Sequence, residues 1–119
     1  MREPAYQSQY VCAVEAAADI LGGKWKTVIV YYLLQGPKRF NTLRRLLPEV
    51  TQRMLTRQLR ELEQDGLVHR EMYKEMPPKV EYSLTEFGTS LGPIITQMCD
   101  WGEYYMERMH TRKGRGDSL

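Results

Sequence analysis

The chain is poor in the groups on which catalysis and metal binding draw. Of its 119 residues only two are cysteine and two are histidine. Cys12 and Cys99 cannot complete a zinc site by themselves, and no Cys-x-x-Cys pair exists. His69 and His110 stand far apart in the sequence without clustered carboxylates. No nucleophile–base arrangement, glycine-rich phosphate loop or paired-carboxylate motif stands out, so neither enzymatic activity nor a metal or other cofactor is expected. No apolar run approaches the ~20 residues of a transmembrane helix. The opening decapeptide, MREPAYQSQY, has no hydrophobic stretch of signal-peptide type. Cytoplasmic residence, with no membrane partner, is the expectation.

What is present is a composition suited to one small folded domain. Hydrophobic residues make up 42% of the chain, too many for a disordered one. The net charge is only +2, but it is unevenly placed. Residues 38–60 hold Lys38, Arg39, Arg44, Arg45, Arg53, Arg57 and Arg60 against the single acid Glu49, while the rest of the chain is net acidic. Such a concentration is the footprint of a phosphate-binding surface, or more simply a solvated basic face.

Residues 10–21 have an alanine-rich helical pattern ended by Gly22-Gly23. Trp25, Val28, Ile29, Tyr32 and Leu33 then recur at helical spacing through residues 24–34, predicting a central, well-buried helix. Gly36-Pro37 breaks it. Phe40, Leu43, Leu46 and Leu47 form a short third helix, and Pro48-Glu49-Val50 makes a tight connection to the next one.

That next helix, residues 51–66, carries the strongest functional signal. Leu55, Leu59 and Leu62 define a buried seam with Met54 beside it. Gln52, Arg53, Thr56, Arg57 and Arg60 crowd the N-terminal half, whereas Glu61, Glu63 and Asp65 fall in the last turns. The helix macrodipole favours the reverse order, acids first and bases last. An external polyanion met by the N-terminal half accounts for the inversion. Arg, Gln and Thr at a helix N-terminus suit entry into a DNA major groove, and two short helices around a tight turn make a helix–turn–helix.

After Gly66 the period changes. Residues 67–73 have strand-like composition, and Val80, Tyr82 and Leu84 alternate with Glu81 and Ser83. The intervening KEMPPK segment is too long for a two-residue hairpin and is stiffened by two prolines. A hairpin directly behind a helix–turn–helix is a wing. Thr85 is placed to cap a long final helix, in which Phe87, Leu91, Ile94, Met98, Trp101 and Tyr105 form a seam of alternating four and three steps. A second row, Ile95, Cys99, Gly102 and Met106, runs beside it, with Gly88, Gly92 and Pro93 weakening the first turns. One small domain can cover one of these faces but not both, which points to a homodimer through Ile94, Met98, Trp101 and Tyr105, joined by the N-terminal helix. The plainer reading is one wide core stripe. The expected organisation is a single mainly helical winged helix–turn–helix domain over residues 1–110, its terminal helices forming the dimer interface. A polar, disordered tail is expected over residues 111–119.

In order along the chain stand Ile20-Leu21-Gly22-Gly23-Lys24-Trp25, Gly36-Pro37-Lys38-Arg39-Phe40-Asn41 and the LTRQLRELE run that begins at Leu55. Asp65-Gly66-Leu67-Val68, Pro77-Pro78-Lys79-Val80-Glu81-Tyr82, Leu84-Thr85 and Trp101 follow. With this ordered set the sequence resembles the HxlR-type winged helix–turn–helix transcription regulators of bacteria. The resemblance implies a homodimer that binds a pseudo-palindromic operator in double-stranded DNA. Carried onto this chain, it implies base reading by Gln52, Arg53, Thr56 and Arg57. Phosphate contacts would come from Lys24, Lys26, Arg39, the backbone at Phe40-Asn41, and Arg60, with Lys74 and Lys79 as wing contacts.

Cys12 stands at the start of the first helix, one turn before Glu15. In the family that this chain resembles, several members sense electrophiles or oxidants through a cysteine in this region. Cys12 is therefore either a redox sensor for a small electrophile or oxidant, or a small residue packed between helices. Cys99 reads as structural. The resulting expectation is a sequence-specific DNA-binding regulator, a repressor rather than an activator. Its rivals are a winged-helix protein-interaction module and a non-specific DNA-binding protein.

Overall fold

Leu55, Leu59 and Leu62 decide where the core lies. In the computed structural model, which describes residues 10–114 and side chains through residue 111, all three are buried. They sit on helix α4 (Gln52–Gln64), which follows α1 (Ala13–Ile20), α2 (Trp25–Leu33), strand β1 (Lys38–Arg39) and α3 (Phe40–Leu46). Strands β2 (Val68–Tyr73) and β3 (Lys79–Leu84) come next, then α5 (Glu86–Thr89) and α6 (Gly92–Gly114). The core joins the α4 leucines to Ile29, Val30 and Leu33 of α2, Leu43 of α3, Leu67, Val68, Tyr82 and Ile95. This is a winged helix–turn–helix.

Both ends of α4 are set by local chemistry. Thr51 has an extended backbone, and its Oγ1 accepts a hydrogen bond from Met54 N at 3.1 Å, satisfying one of the free amides of the first turn. At the other end Gly66 adopts φ 79°, a conformation that disfavours any residue with a Cβ. Gly66 N donates to Glu63 O and Leu67 N donates to Leu62 O, each at 3.0 Å, which closes the last carbonyls in a Schellman arrangement. The preceding turn is held by Val50, buried and donating from its amide to Leu47 O at 3.0 Å.

The wing is more than a hairpin. The sheet has three strands in the order β1-β3-β2, all antiparallel, with β1 pairing Lys38 to Tyr82 and Arg39 to Glu81. On the other side of β3 the register runs from Val68 opposite Leu84 to Tyr73 opposite Lys79. Beyond Val68 every residue of β2 is exposed, so the wing is an arm held at its base.

The final helix starts later than expected. Thr85 does act as a cap, its Oγ1 accepting from Gly88 N at 2.9 Å, but the helix it caps is the four-residue α5. Phe87 and Leu91 therefore leave the long seam: Phe87 is exposed, and Leu91 packs on the core ahead of α6. The break has a physical cause in Pro93, which has no amide proton for the i−4 bond that a continuous helix would require. At its far end α6 continues through Gly114, so the expected boundary at residue 110 falls inside a helix. Residues 115–119 of the expected tail and residues 1–9 of the opening decapeptide lie outside the described residues. No helix among those described is long and apolar enough to cross a membrane.

Candidate nucleic-acid interface

Helix α4 turns its leucines inward and its basic residues outward. Gln52, Arg53, Arg57 and Arg60 are exposed, Thr56 is half-buried, and the five line one shallow surface depression. The side chains expected to face bases are thus brought together on a single face. Arg60 lies on the flank, where it also lines a second, larger cleft of about 730 Å³.

That larger cleft runs between α4 and the wing. Arg39 and Asn41 line it from β1 and α3, Thr56 and Arg60 from α4, and Lys79 and Tyr82 from β3. Arg39 is the extended residue before α3, which places its side chain and the first amides of that helix on the same rim. Arg70 also lines the cleft and was not anticipated. A strand's side chains alternate, so Arg70 shares a face with the buried Val68 two residues earlier and leans back toward α4. That period-two relation was available in the sequence. Glu63 is the one acid among the lining residues.

The remaining expected contacts are dispersed. Lys24 is exposed at the start of α2, its ammonium 4.5 Å from the Trp25 ring centroid. Lys74 is exposed in the wing loop and lines neither depression. Lys79 is half-buried, lying 4.6 Å over the Tyr73 ring and 3.9 Å from Glu81. The charge of Glu81 is the main influence raising the Tyr73 phenol above its ordinary 10.0.

Lys26 requires a correction. It is not a surface residue poised for phosphate: its side chain is 4% exposed, and its Nζ lies 2.6 Å from Glu61 Oε1. The reason is helical phase. Lys26 stands i, i+3, i+4 and i+7 with Ile29, Val30 and Leu33, which together form the buried face of α2. A buried ammonium needs a partner, and Glu61 of α4 supplies one. Glu61, 33% exposed, also receives Arg57 Nε at 3.5 Å on its other oxygen. The Lys26 hydrogen bond, opposed by burial and aided by the charges of Lys26 and Arg57, holds the Glu61 carboxyl below its ordinary value of 4.5.

The terminal helices present a different surface. Ile94, Met98, Trp101 and Tyr105 of α6 are all exposed, Trp101 at 65%. Trp101 and Tyr105 stack with centroids 5.7 Å apart, and a shallow apolar groove runs along Pro93, Ile94, Met98 and Trp101. Among the described side chains of α6 only Ile95 enters the core, and α1 buries none of its residues. Cys12 is the residue immediately before α1 and is exposed, so within one protomer it is not packed between helices. Cys99 is exposed as well within one protomer.

Comparison with known proteins agrees with this geometry. Residues 20–110 match the family model described as HxlR-like helix-turn-helix. The HTH-type transcriptional regulator YdeP of Bacillus subtilis is 62% identical over 98 residues, covering 82% of this chain and 77% of YdeP. Among solved structures, the redox regulator HypR in its oxidized form has a TM-score of 0.75 at 61% identity, covering 78% of this chain and 96% of HypR. The reduced form of the transcriptional regulator YodB from B. subtilis has a TM-score of 0.70 at 38% identity, covering 83% of this chain and 98% of YodB. These relatives are transcriptional regulators, not enzymes. The chain belongs to the HxlR-like helix-turn-helix family of DNA-binding transcription regulators.

Proposed function

We propose that this regulator acts in the cytoplasm as a homodimer on a pseudo-palindromic operator, repressing rather than activating, with α4 reading bases. The observation that carries the reading is the division of α4 into a buried leucine seam and an outer face of Gln52, Arg53, Thr56 and Arg57. Arginine grips guanine O6 and N7 through two donors, and glutamine suits adenine in the same way. Arg39, Asn41, Arg60, Arg70 and Lys79, lining the cleft beside α4, hold the sugar–phosphate backbone, with Lys24 and Lys74 as outlying contacts. Dimerisation is supported by the apolar side chains that α1, the segment just before it and α6 leave in solvent: Val11, Val14, Ile94, Met98, Trp101, Tyr105 and Met106. Occupying two half-sites calls for a homodimer whose two α4 helices stand about one DNA turn, roughly 34 Å, apart.

Cys12 is the redox-sensing residue in this proposal, and its effector is a small electrophile or oxidant. Its exposure supports this role, as does the likeness to proteins described as redox regulator HypR and diamide-treated YodB. Modification of Cys12 at the start of α1 acts on the dimer surface and so on the spacing of the two α4 helices.

Binding selection from a random duplex library, with reduced protein, tests the reading. Enrichment of an inverted repeat is expected. Salt-sensitive retention of DNA without a consensus would identify a non-specific binder instead. No retention would favour a protein-interaction module.

A further inference from the structure

We propose that Lys26, a buried residue of α2, positions Arg57 for base reading through the Glu61 carboxylate that the two side chains share. The inference rests on the reading of Arg57 as a base contact. Lys26 touches no DNA in this scheme; it is a positioning residue.

The geometry is a three-member chain from the core to the outer face of α4. Lys26 Nζ holds Glu61 Oε1 at 2.6 Å, and Arg57 Nε lies 3.5 Å from Glu61 Oε2. An exposed Arg–Glu pair one helical turn apart is ordinarily weak and samples many rotamers. Here the carboxylate is anchored from behind by an ammonium that is itself 96% buried and cannot follow it into solvent. Glu61 is thereby held in one orientation, and its Oε2 is a fixed acceptor beside an Arg57 side chain that is otherwise 77% exposed.

Which nitrogen is engaged matters. Arg57 spends Nε on Glu61, leaving both terminal amino groups free in the plane of the guanidinium. Those two groups make the end-on bidentate contact with guanine O6 and N7. Lys26 has a second effect. Glu61 lies one helical turn from Arg57, and the buried ammonium offsets its charge without occupying the surface.

A tether that merely fastened α4 to α2 would use the same ion pair, so the test must separate the two roles. The double variant Lys26→Met/Glu61→Gln leaves the summed charge of the pair at zero while removing the ionic anchor. The probes are the inverted repeat selected by the native protein, its single base-pair substitutions, and a random duplex. Arg57→Ala first identifies the base pair that Arg57 reads. At that pair the double variant is expected to lose about fivefold or more in discrimination. Discrimination elsewhere, affinity for the random duplex and the salt slope stay as in the native protein. Adding Arg57→Ala to the double variant brings no further loss.

Native discrimination at that pair in the double variant would overturn the proposal, and so would a uniform loss across all positions, which marks a simple tether. An Arg57→Ala profile identical to the native one would overturn the base-reading role itself and the proposal with it. Thermal melts establish folding. If the double variant does not fold, Glu61→Gln alone, which keeps an oxygen facing Lys26, carries the same expected loss and the same refutation.

Discussion

Gly88→Ala tests how α4 is joined to the C-terminal helices. Gly88 is the buried residue of α5, and a Cβ built there would lie 2.0 Å from the carbonyl oxygen of Leu67 and 3.0 Å from its carbonyl carbon. Neither atom is the end of a flexible side chain. Leu67 is buried, its amide donates to Leu62 O, and its carbonyl accepts from Thr85 N at 3.1 Å. Thr85 Oγ1 in turn donates to Gly66 O at 2.6 Å. An alanine must therefore displace backbone by about 1 Å or more at the corner that ends α4. In a helix free of contacts, glycine to alanine gains up to about 1 kcal/mol. Overpacking costs about 1–3 kcal/mol, and weakening the Thr85–Leu67 hydrogen bond adds about 1 kcal/mol. The balance is a loss of about 2 kcal/mol, a fall in Tm of roughly 8 °C for a chain of this length. Far-UV circular dichroism melts at fixed protein concentration, with reductant, read it directly. Gly92→Ala is the control, because its Cβ would meet only Leu34 Cδ2 at an ordinary 3.7 Å, and a change within about 0.5 kcal/mol is expected. A Gly88→Ala protein as stable as the native one would refute the close-approach argument.

Three further outcomes are expected. Trp101→Glu places a charge in the middle of the exposed α6 face and should yield monomers in sedimentation velocity; an unchanged dimer would place the interface elsewhere. The Glu61 carboxyl is held below 4.5 in the folded protein, so its contribution to stability is complete above that value and is lost as pH falls through the folded one. The Tm gap between native and Glu61→Gln proteins should stay constant from pH 7 to about 5.5 and close on further acidification, whereas a gap that persists unchanged to about pH 3 would deny the ion pair its role. Cys12→Ser should abolish any change in DNA binding caused by diamide; a variant that still responds would remove Cys12 as the sensor.

The parts of the fold that announce themselves in sequence are those with a strong period. Leu55, Leu59 and Leu62 define α4 because a half-buried helix needs its apolar residues on one stripe, and the alternation from Val80 to Leu84 defines β3 for the corresponding reason. The charge of Lys26 masks its phase: it continues the Ile29, Val30 and Leu33 stripe, and only a partner on another helix makes a buried lysine tolerable. No local pattern specifies β1, whose two residues are a strand only because β3 offers them an edge. Thr85 is a genuine cap, yet the length of the helix behind it depends on Pro93 and on Gly88 meeting Leu67, a tertiary contact. The outward polar face of α4 was legible because the charge order along the helix inverts the usual one, while Arg70 required knowing which face of β2 turns back toward α4.

Dimethyl sulfate interference on the selected operator tests most directly whether α4 reads bases from the major groove. The reagent methylates guanine at N7, in the major groove, and adenine at N3, in the minor groove. With native protein, duplexes methylated at guanine N7 should be excluded from the bound fraction in two half-sites about one helical turn apart. Arg57→Ala should lose that exclusion at one guanine of each half-site. Binding that is indifferent to N7 methylation throughout the operator would contradict base reading by α4.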